Sequence, residues 1–170
     1  MRIKVPGIVK RIYPDMVWSI DDPEGLYLTF DDGPTPGVTE WILSTLDRYD
    51  AKATFFVLGK NVELYPDLYR MILERGHKVG NHTYSHQKGW GMSLRRYIED
   101  VDLAADMVHS ELFRPPYANI TINQFRAVAQ RYKVVMWSIL TRDYNRAVSP
   151  KSCLRGAIRD LRGGDIVSLH

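Results

Sequence analysis

Apolar positions along this chain fall into two alternating rhythms. The segment Gly25-Leu26-Tyr27-Leu28-Thr29-Phe30 is short and apolar or β-prone, and Gly33-Pro34 stops it at once, so it reads as a buried strand. A helical period follows over residues 38–49, with Val38, Trp41, Ile42, Leu43 and Leu46 predicted to form its apolar face. A second strand is predicted over 52–58, through Ala53-Thr54-Phe55-Phe56-Val57, and a helix over 65–75, opened by Pro66 and closed by Gly76. His77-Lys78-Val79-Gly80 reads as a third strand. A long helix is predicted over 93–110, with Leu94, Tyr97, Ile98, Val101, Ala105 and Val108 on one side. A fourth strand leads into Arg114, a helix covers 121–131, a fifth strand covers 133–137 and a helix covers 150–161. Gly163-Gly164 then introduces a last strand ending at His170. This is a repeated strand–helix plan, an α/β chain without linkers, low-complexity tracts or internal repeats.

Composition narrows the function classes. At 170 residues with 45% apolar content, the chain is long enough for one domain with a real core. The net charge of +3 is too small, and Lys and Arg too dispersed, to imply a nucleic-acid partner. Lys4, Lys10 and Arg11 form a small basic cluster near the start, and the single Cys153 excludes an internal disulfide. Residues 1–20 begin basic but contain no apolar export core, and no window approaches 18 apolar residues. A chain of this pattern is expected in the cytoplasm; the cell envelope or periplasm becomes the expectation if an export segment lies outside these residues.

Three polar constellations stand at strand ends. Asp31-Asp32 caps the first strand, and two acids there are costly unless a cation pairs with them. His82-Thr83-Tyr84-Ser85-His86 follows the third strand. Two histidines four residues apart can reach one metal ion, although such a pair also occurs as a solvated surface feature. Arg114 precedes Pro115-Pro116-Tyr117, whose prolines stiffen the loop and aim the arginine; a plain rigid turn is the blander reading. His77 reads as a loop or surface histidine and His109 as packed or exposed. Asn81 is placed to order the loop that follows it. Glu99, Asp100, Asp102 and Asp106 read as a solvated helix face. Trp90, in the flexible-looking Gly89-Trp90-Gly91, suits either stacking on a sugar ring or covering the core, and Tyr84 has the same ambiguity.

Together these segments resemble the first three motifs of the polysaccharide deacetylases, the NodB-homology domain of carbohydrate esterase family 4. The patterns T-F-D-D-G-P, H-[ST]-x-x-H and R-P-P-[YF] stand intact, in order, at Thr29 to Pro34, His82 to His86 and Arg114 to Tyr117. The family's looser Asp-Trp pair is matched by Asp143-Tyr144, with tyrosine in place of tryptophan. Its Leu-x-His strand end is matched loosely at Ile166-Val167-Ser168-Leu169-His170, where Leu169 directly precedes the histidine. The resemblance runs from about Gly25 to the last residue.

What the resemblance implies can be stated residue by residue. The fold would be a distorted, incomplete (β/α) barrel, TIM-barrel-like. Residues 1–24 would be an extension packed on a catalytic domain of residues 25–170. Asp32, His82 and His86 would hold one divalent metal ion, with Zn2+ the default and Co2+, Ni2+ or Mn2+ able to serve. Asp31 would act as general base, kept ionised by Arg114, and His170 as general acid paired with Asp143. The ordering of the two aspartates comes from the family; the residues alone leave it open. The backbone N–H of Tyr117 would stabilise the oxyanion, and Tyr117, Tyr144, Trp90 and Leu169 would contact substrate.

The activity implied is hydrolysis of the N-acetyl group, or an O-acetyl group, of a sugar in a glycan such as peptidoglycan or a chitin-like oligosaccharide, with release of acetate. This is a hydrolase acting on carbon–nitrogen bonds other than peptide bonds. Its partner would be the acetylated glycan, with no nucleic acid and no transmembrane segment; the oligomeric state is left open. A catalytically silent carbohydrate-binding domain of the same fold and a metal amidase on another small amide stand as alternatives. The family pattern carries on past its histidine with an aspartate and a closing helix. The domain therefore reads as truncated at His170, and an extended chain is expected to be more stable or more active.

Overall fold

Seven short parallel strands carry the architecture of this protein, seen in a computed structural model that describes residues 7–170. They are β1 (Tyr27–Asp31), β2 (Thr54–Val57), β3 (Lys78–Asn81), β4 (Leu112–Phe113), β5 (Lys133–Val134), β6 (Ile139–Leu140) and β7 (Ile166–Leu169). Their order in the sheet is β5-β4-β3-β2-β1-β7-β6. β5 and β6 thus lie at opposite ends of the sheet, yet residues 135–138 alone join them. That link spans at most about 18 Å, so the two ends must face each other. The sheet is curled into an incomplete barrel, as expected from the sequence.

Helices coat the outside: α1 (Gly7–Ile12), α2 (Val38–Arg48), α3 (Gly59–Leu64), α4 (Pro66–Glu74), α5 (Leu94–Ala105), α6 (Ile122–Val128) and α7 (Pro150–Ile158). Side-chain caps set several of their starts. Ser93 and Ser149 accept from the third residue of α5 and α7, and Thr121 with Gln124 forms a reciprocal capping box on α6. α2 and α4 bury Ile42, Leu43, Leu46 and Ile72 against Phe55, Val57 and Val79. α5 and α6 bury Tyr97, Val101, Phe125 and Val128 against Phe113 and Val134. Inside the curl, Phe56, Val135 and Ile166 form a small apolar plug, and the functional side chains sit above it.

The segment before β1 packs on this frame. Met16 is buried, Val17 bridges to Val135 and Ser19 bridges to Asp165, so residues 17–19 reach from the β5 side to the β7 side. Lys4 of the predicted basic cluster lies outside the described residues.

Several details differ from the periodic reading. Val38 and Trp41 are solvent-facing, Trp41 at 67% exposure, because α2 turns Thr39, Ile42, Leu43 and Leu46 inward instead. Leu94 is also exposed. α5 stops at Ala105, and Val108 joins the other core cluster through a turn closed by its amide on Ala104. The predicted strand over 133–137 divides: β5 ends at Val134, and the chain crosses to the far sheet edge to make β6. α1 and α3 carry too few periodic positions to be read from the sequence. His77 is buried at 4% exposure rather than on the surface; its Nδ1 accepts from the Ala53 amide at 3.3 Å, and it packs edge-on to Phe55.

Candidate active site

A cavity of about 520 Å³ opens at the C-terminal ends of the strands, where barrels of this kind gather loops of different origin. Asp31, Asp32, His82, His86, Tyr117, Tyr144 and His170 line it, with Pro115, Trp137 and Leu140 as its apolar wall. β1 delivers the two aspartates, β3 the histidines, β4 Arg114 and β7 His170.

Arg114 organises the floor. It is fully buried, with its guanidinium 4.0 Å above the Phe56 ring. Nε donates to the Val135 carbonyl (3.0 Å) and Nη2 to the Met136 carbonyl (2.8 Å). Nη1 donates to Thr29 Oγ1 and to Asp31 Oδ1, each at 2.7 Å. Burial lowers the guanidinium pKa against the opposing pull of Asp31, and the hydrogen-bonded carboxylate is what makes a buried charge tolerable. The second oxygen of Asp31 is held as well: Ser168 Oγ donates to Oδ2 at 3.0 Å. Thr29 Oγ1 in turn donates to the Val167 carbonyl at 2.8 Å.

Asp32, His82 and His86 face one another beside this pair. His82 Nδ1 lies 2.6 Å from the Arg114 carbonyl oxygen, to which it can only donate. A neutral His82 therefore presents a lone pair at Nε2, 3.4 Å from Asp32 Oδ1, and His86 Nε2 lies 3.0 Å from the same oxygen. Asp32 Oδ1 is buried and has no hydrogen-bond partner among the described residues. Burial opposes the charge on Asp32, and the facing imidazoles outweigh it, holding the carboxyl well below the usual range. Three donor atoms within 4.8 Å of one another, one of them an orphaned buried anion, fit a divalent cation.

The backbone here is held away from its ordinary conformations. Asp32, Thr83, His86, Tyr117, Ala118 and Arg142 all have φ between 53° and 73°. The turns they make aim the side chains inward: the Tyr117 ring packs on His86 with centroids 4.5 Å apart.

His170 enters from the other side. Its backbone amide donates to Asp143 Oδ2 at 2.8 Å, its Nδ1 lies 3.1 Å from Asp143 Oδ1, and its Nε2 lies 4.0 Å from Asp31 Oδ2. Burial lowers the imidazole pKa, but the bond to Asp143 and the charge of Asp31 outweigh it, so the net shift is upward. Burial likewise raises Asp143, and its bonds to His170 and Thr141 win, lowering it. Tyr144 packs edge-on to His170 at 4.8 Å.

Two predicted substrate contacts fall elsewhere. Leu169 does not face this cavity. Strand alternation puts Ser168 and its neighbours in register on the inner side, while Leu169 packs outward with Ile139, Ala157 and Val167 beneath α7. Trp90 lies in an adjoining groove that shares His86 and Tyr117 with the cavity. Sequence reasoning also missed residues that support the site. Ser168 and Thr29 hold Asp31 and Arg114. Asp100, expected on a solvated face, accepts from Ser85 Oγ at 2.6 Å and from the Ser85 amide at 3.2 Å, tying the histidine loop to α5. Asn81, by contrast, is expected from the sequence to order this loop, and its Oδ1 accepts from the Thr83 amide at 2.8 Å. The available signal for Ser168 was its position two before His170, hence on the same face of one strand.

Comparison with known proteins follows this geometry. A family model described as polysaccharide deacetylase matches residues 20–137. A peptidoglycan-N-acetylglucosamine deacetylase of Bacillus cereus is 33% identical over 150 residues, which cover 84% of this chain and 54% of that protein. Chitin deacetylase 1 of Saccharomyces cerevisiae is 39% identical over 124 residues, 68% of this chain and 40% of that protein. The chain thus spans about half the length, or less, of these relatives. A crystal structure of a peptidoglycan N-acetylglucosamine deacetylase superposes with a TM-score of 0.88 at 30% identity, covering 98% of this chain and 81% of that one. The barrel, the strand-end motifs and these matches converge on one statement: the chain belongs to the polysaccharide deacetylase family.

Proposed function

We propose that the protein is a metal-dependent hydrolase that removes the acetyl group from an N-acetylated sugar within a glycan, releasing acetate. The observation that carries this reading is Asp31. It is a buried carboxylate held at one oxygen by Arg114 and at the other by Ser168, and it stands next to the Asp32, His82 and His86 cluster without belonging to it. The relatives' names, which cite peptidoglycan and chitin, support an N-acetylated amino sugar as the substrate class.

Asp32, His82 and His86 would hold the cation, for which we propose Zn2+ from the two-histidine, one-carboxylate donor set. Such a cation polarises an acetamide carbonyl and acidifies water at neutral pH. Asp31 takes the proton of the attacking water, with Arg114 and Ser168 fixing its direction. The Tyr117 backbone N–H supports the developing oxyanion. His170, whose pKa is raised beside Asp143, donates its proton to the departing amine nitrogen, so the amine leaves uncharged and acetate remains. Trp137 and Leu140 give the acetyl methyl an apolar wall. The same machinery would also attack an acetate ester.

The test is acetate release from N-acetylated and O-acetylated glycans by metal-stripped protein, with Zn2+, Co2+, Ni2+ or Mn2+ added back. Acetate that appears only with metal supports the reading. Its absence from every substrate, in protein carrying one equivalent of metal, leaves the silent carbohydrate-binding fold as the function.

A further inference from the structure

Beside the catalytic cavity runs an open groove of about 540 Å³, lined by Lys60, Gln87, Lys88 and Trp90 and sharing His86 and Tyr117 with it. Trp90 is 66% exposed and Tyr117 59% exposed, so both rings offer open aromatic surface to the groove. Neither is loose. The Trp90 amide donates to Asn119 Oδ1 at 2.6 Å and its indole N–H to the Ile120 carbonyl at 3.1 Å. Gln124, buried in α6, spends its side-chain amide on the carbonyls of Gly89 and Met92, at 2.9 and 3.0 Å. Gly89 is pressed against Gln124 and the Asn119 backbone so closely that a side chain there would collide with both. The loop is therefore clamped at several points, and it presents an indole face in a fixed pose. Rigid aromatic faces of this kind suit the apolar face of a sugar ring.

The groove also has a sign. Lys60 and Lys88 both line it, and Lys88 Nζ lies 5.1 Å from the Tyr117 ring centroid. Neither lysine makes an ion pair among the described residues. The acidic side chains on the flanking elements are already engaged: Glu63 takes the Tyr84 hydroxyl at 2.5 Å, and Asp100 takes Ser85. Two unneutralised ammonium groups around a clamped aromatic platform match a sugar that carries an acid.

We propose that this groove seats a carboxylate-bearing sugar, the neighbour in the glycan of the residue to be deacetylated. Trp90 stacks on its ring and Lys60 and Lys88 read its carboxylate. This rests on the deacetylase reading, since the groove adjoins that cavity. It goes further in assigning the recognition of an alternating acidic glycan over a neutral one to three side chains outside the catalytic cluster.

The experiment uses two peptide-free glycan strands of equal length. One alternates N-acetylglucosamine with N-acetylmuramic acid; in the other the muramic carboxylates have been reduced to alcohols. Binding is measured calorimetrically at low salt for the wild type, Lys60→Gln/Lys88→Gln and Trp90→Ala, with acetate release followed in parallel. The wild type is expected to bind the acidic strand roughly five-fold more tightly, as two exposed ion pairs would give. The double variant should bring the ratio to about one, and high salt should do the same in the wild type. Trp90→Ala should weaken both strands alike. Equal binding of the two strands by the wild type overturns the proposal. So does a preference that survives the double substitution, or a Trp90→Ala variant that binds like wild type. The expected binding pattern with no acetate released would sink the deacetylase reading and leave the groove standing; acetate released without strand preference would do the reverse.

Discussion

The carbonyl oxygen of Arg114 lies 2.6 Å from Nδ1 of His82, while the side chain of the same arginine holds Asp31 Oδ1 at 2.7 Å. One residue therefore orients the imidazole of a proposed metal ligand through its backbone and the proposed base through its guanidinium. The two prolines that follow keep both in register.

Arg114→Ala should accordingly do more than lower activity. It leaves the buried Asp31 without its main partner, which costs about 3–5 kcal/mol when one half of a buried pair is removed. Denaturant unfolding should show a loss of that order. A stability within 1 kcal/mol of wild type would mean that water or Ser168 compensates for the missing charge.

Asp31→Asn should reduce turnover by at least about 100-fold, the lower range for removing a general base, while metal content measured by elemental analysis stays at one equivalent. His82→Ala should show the opposite order of effects, losing the metal first. Loss of metal from Asp31→Asn would exchange the roles given to the two aspartates.

Ser168→Ala removes the donor to Asp31 Oδ2 without opening the site to solvent, because Ser168 is fully buried. If the hydroxyl positions Asp31, kcat should fall about 10-fold with KM and metal content unchanged, and Ser168→Thr should recover part of the loss. A fall in melting temperature with kcat intact would make Ser168 a packing residue only.

Much of this could be read in the chain before its structure, and the reason differs by residue. Asp31, Asp32, His82, His86 and Arg114 are legible as candidates because each stands where an apolar strand gives way to a turn, the boundary at which barrels gather their loops. Ser168, Thr29 and Asp100 carry no such mark. Ser168 meets Asp31 across 137 residues and Arg114 meets Thr29 across 85, so no spacing rule joins them. Leu169 lies on the face away from the cavity, and the sequence does not show this because a loosely matched strand end leaves the register open, and a slip of one residue exchanges the two faces. β6 was hidden for another reason: it is two residues long and pairs on the far edge of the sheet.

His77 gives a prediction about pH and stability rather than catalysis. Burial holds its imidazole pKa below the ordinary value, with the Lys52 charge adding to the effect. The unfolded chain therefore binds this proton more readily than the folded one. Its contribution to stability is whole above about pH 6.5 and is lost as pH falls below that value. The gap in urea midpoint between pH 7.5 and 5.5 should be smaller in His77→Gln than in wild type. An unchanged gap would assign the acid sensitivity to other groups.

The left-handed turns at Asp32, Thr83, His86, Tyr117, Ala118 and Arg142 have a consequence of their own. An isolated peptide carrying any one of these motifs would relax out of such a conformation, at a gain of about 1–3 kcal/mol for each residue released. The motifs that make the family recognisable are therefore not portable parts. Moved onto another scaffold, they would keep their letters and lose their shape, because the shape is imposed by the curled sheet beneath them.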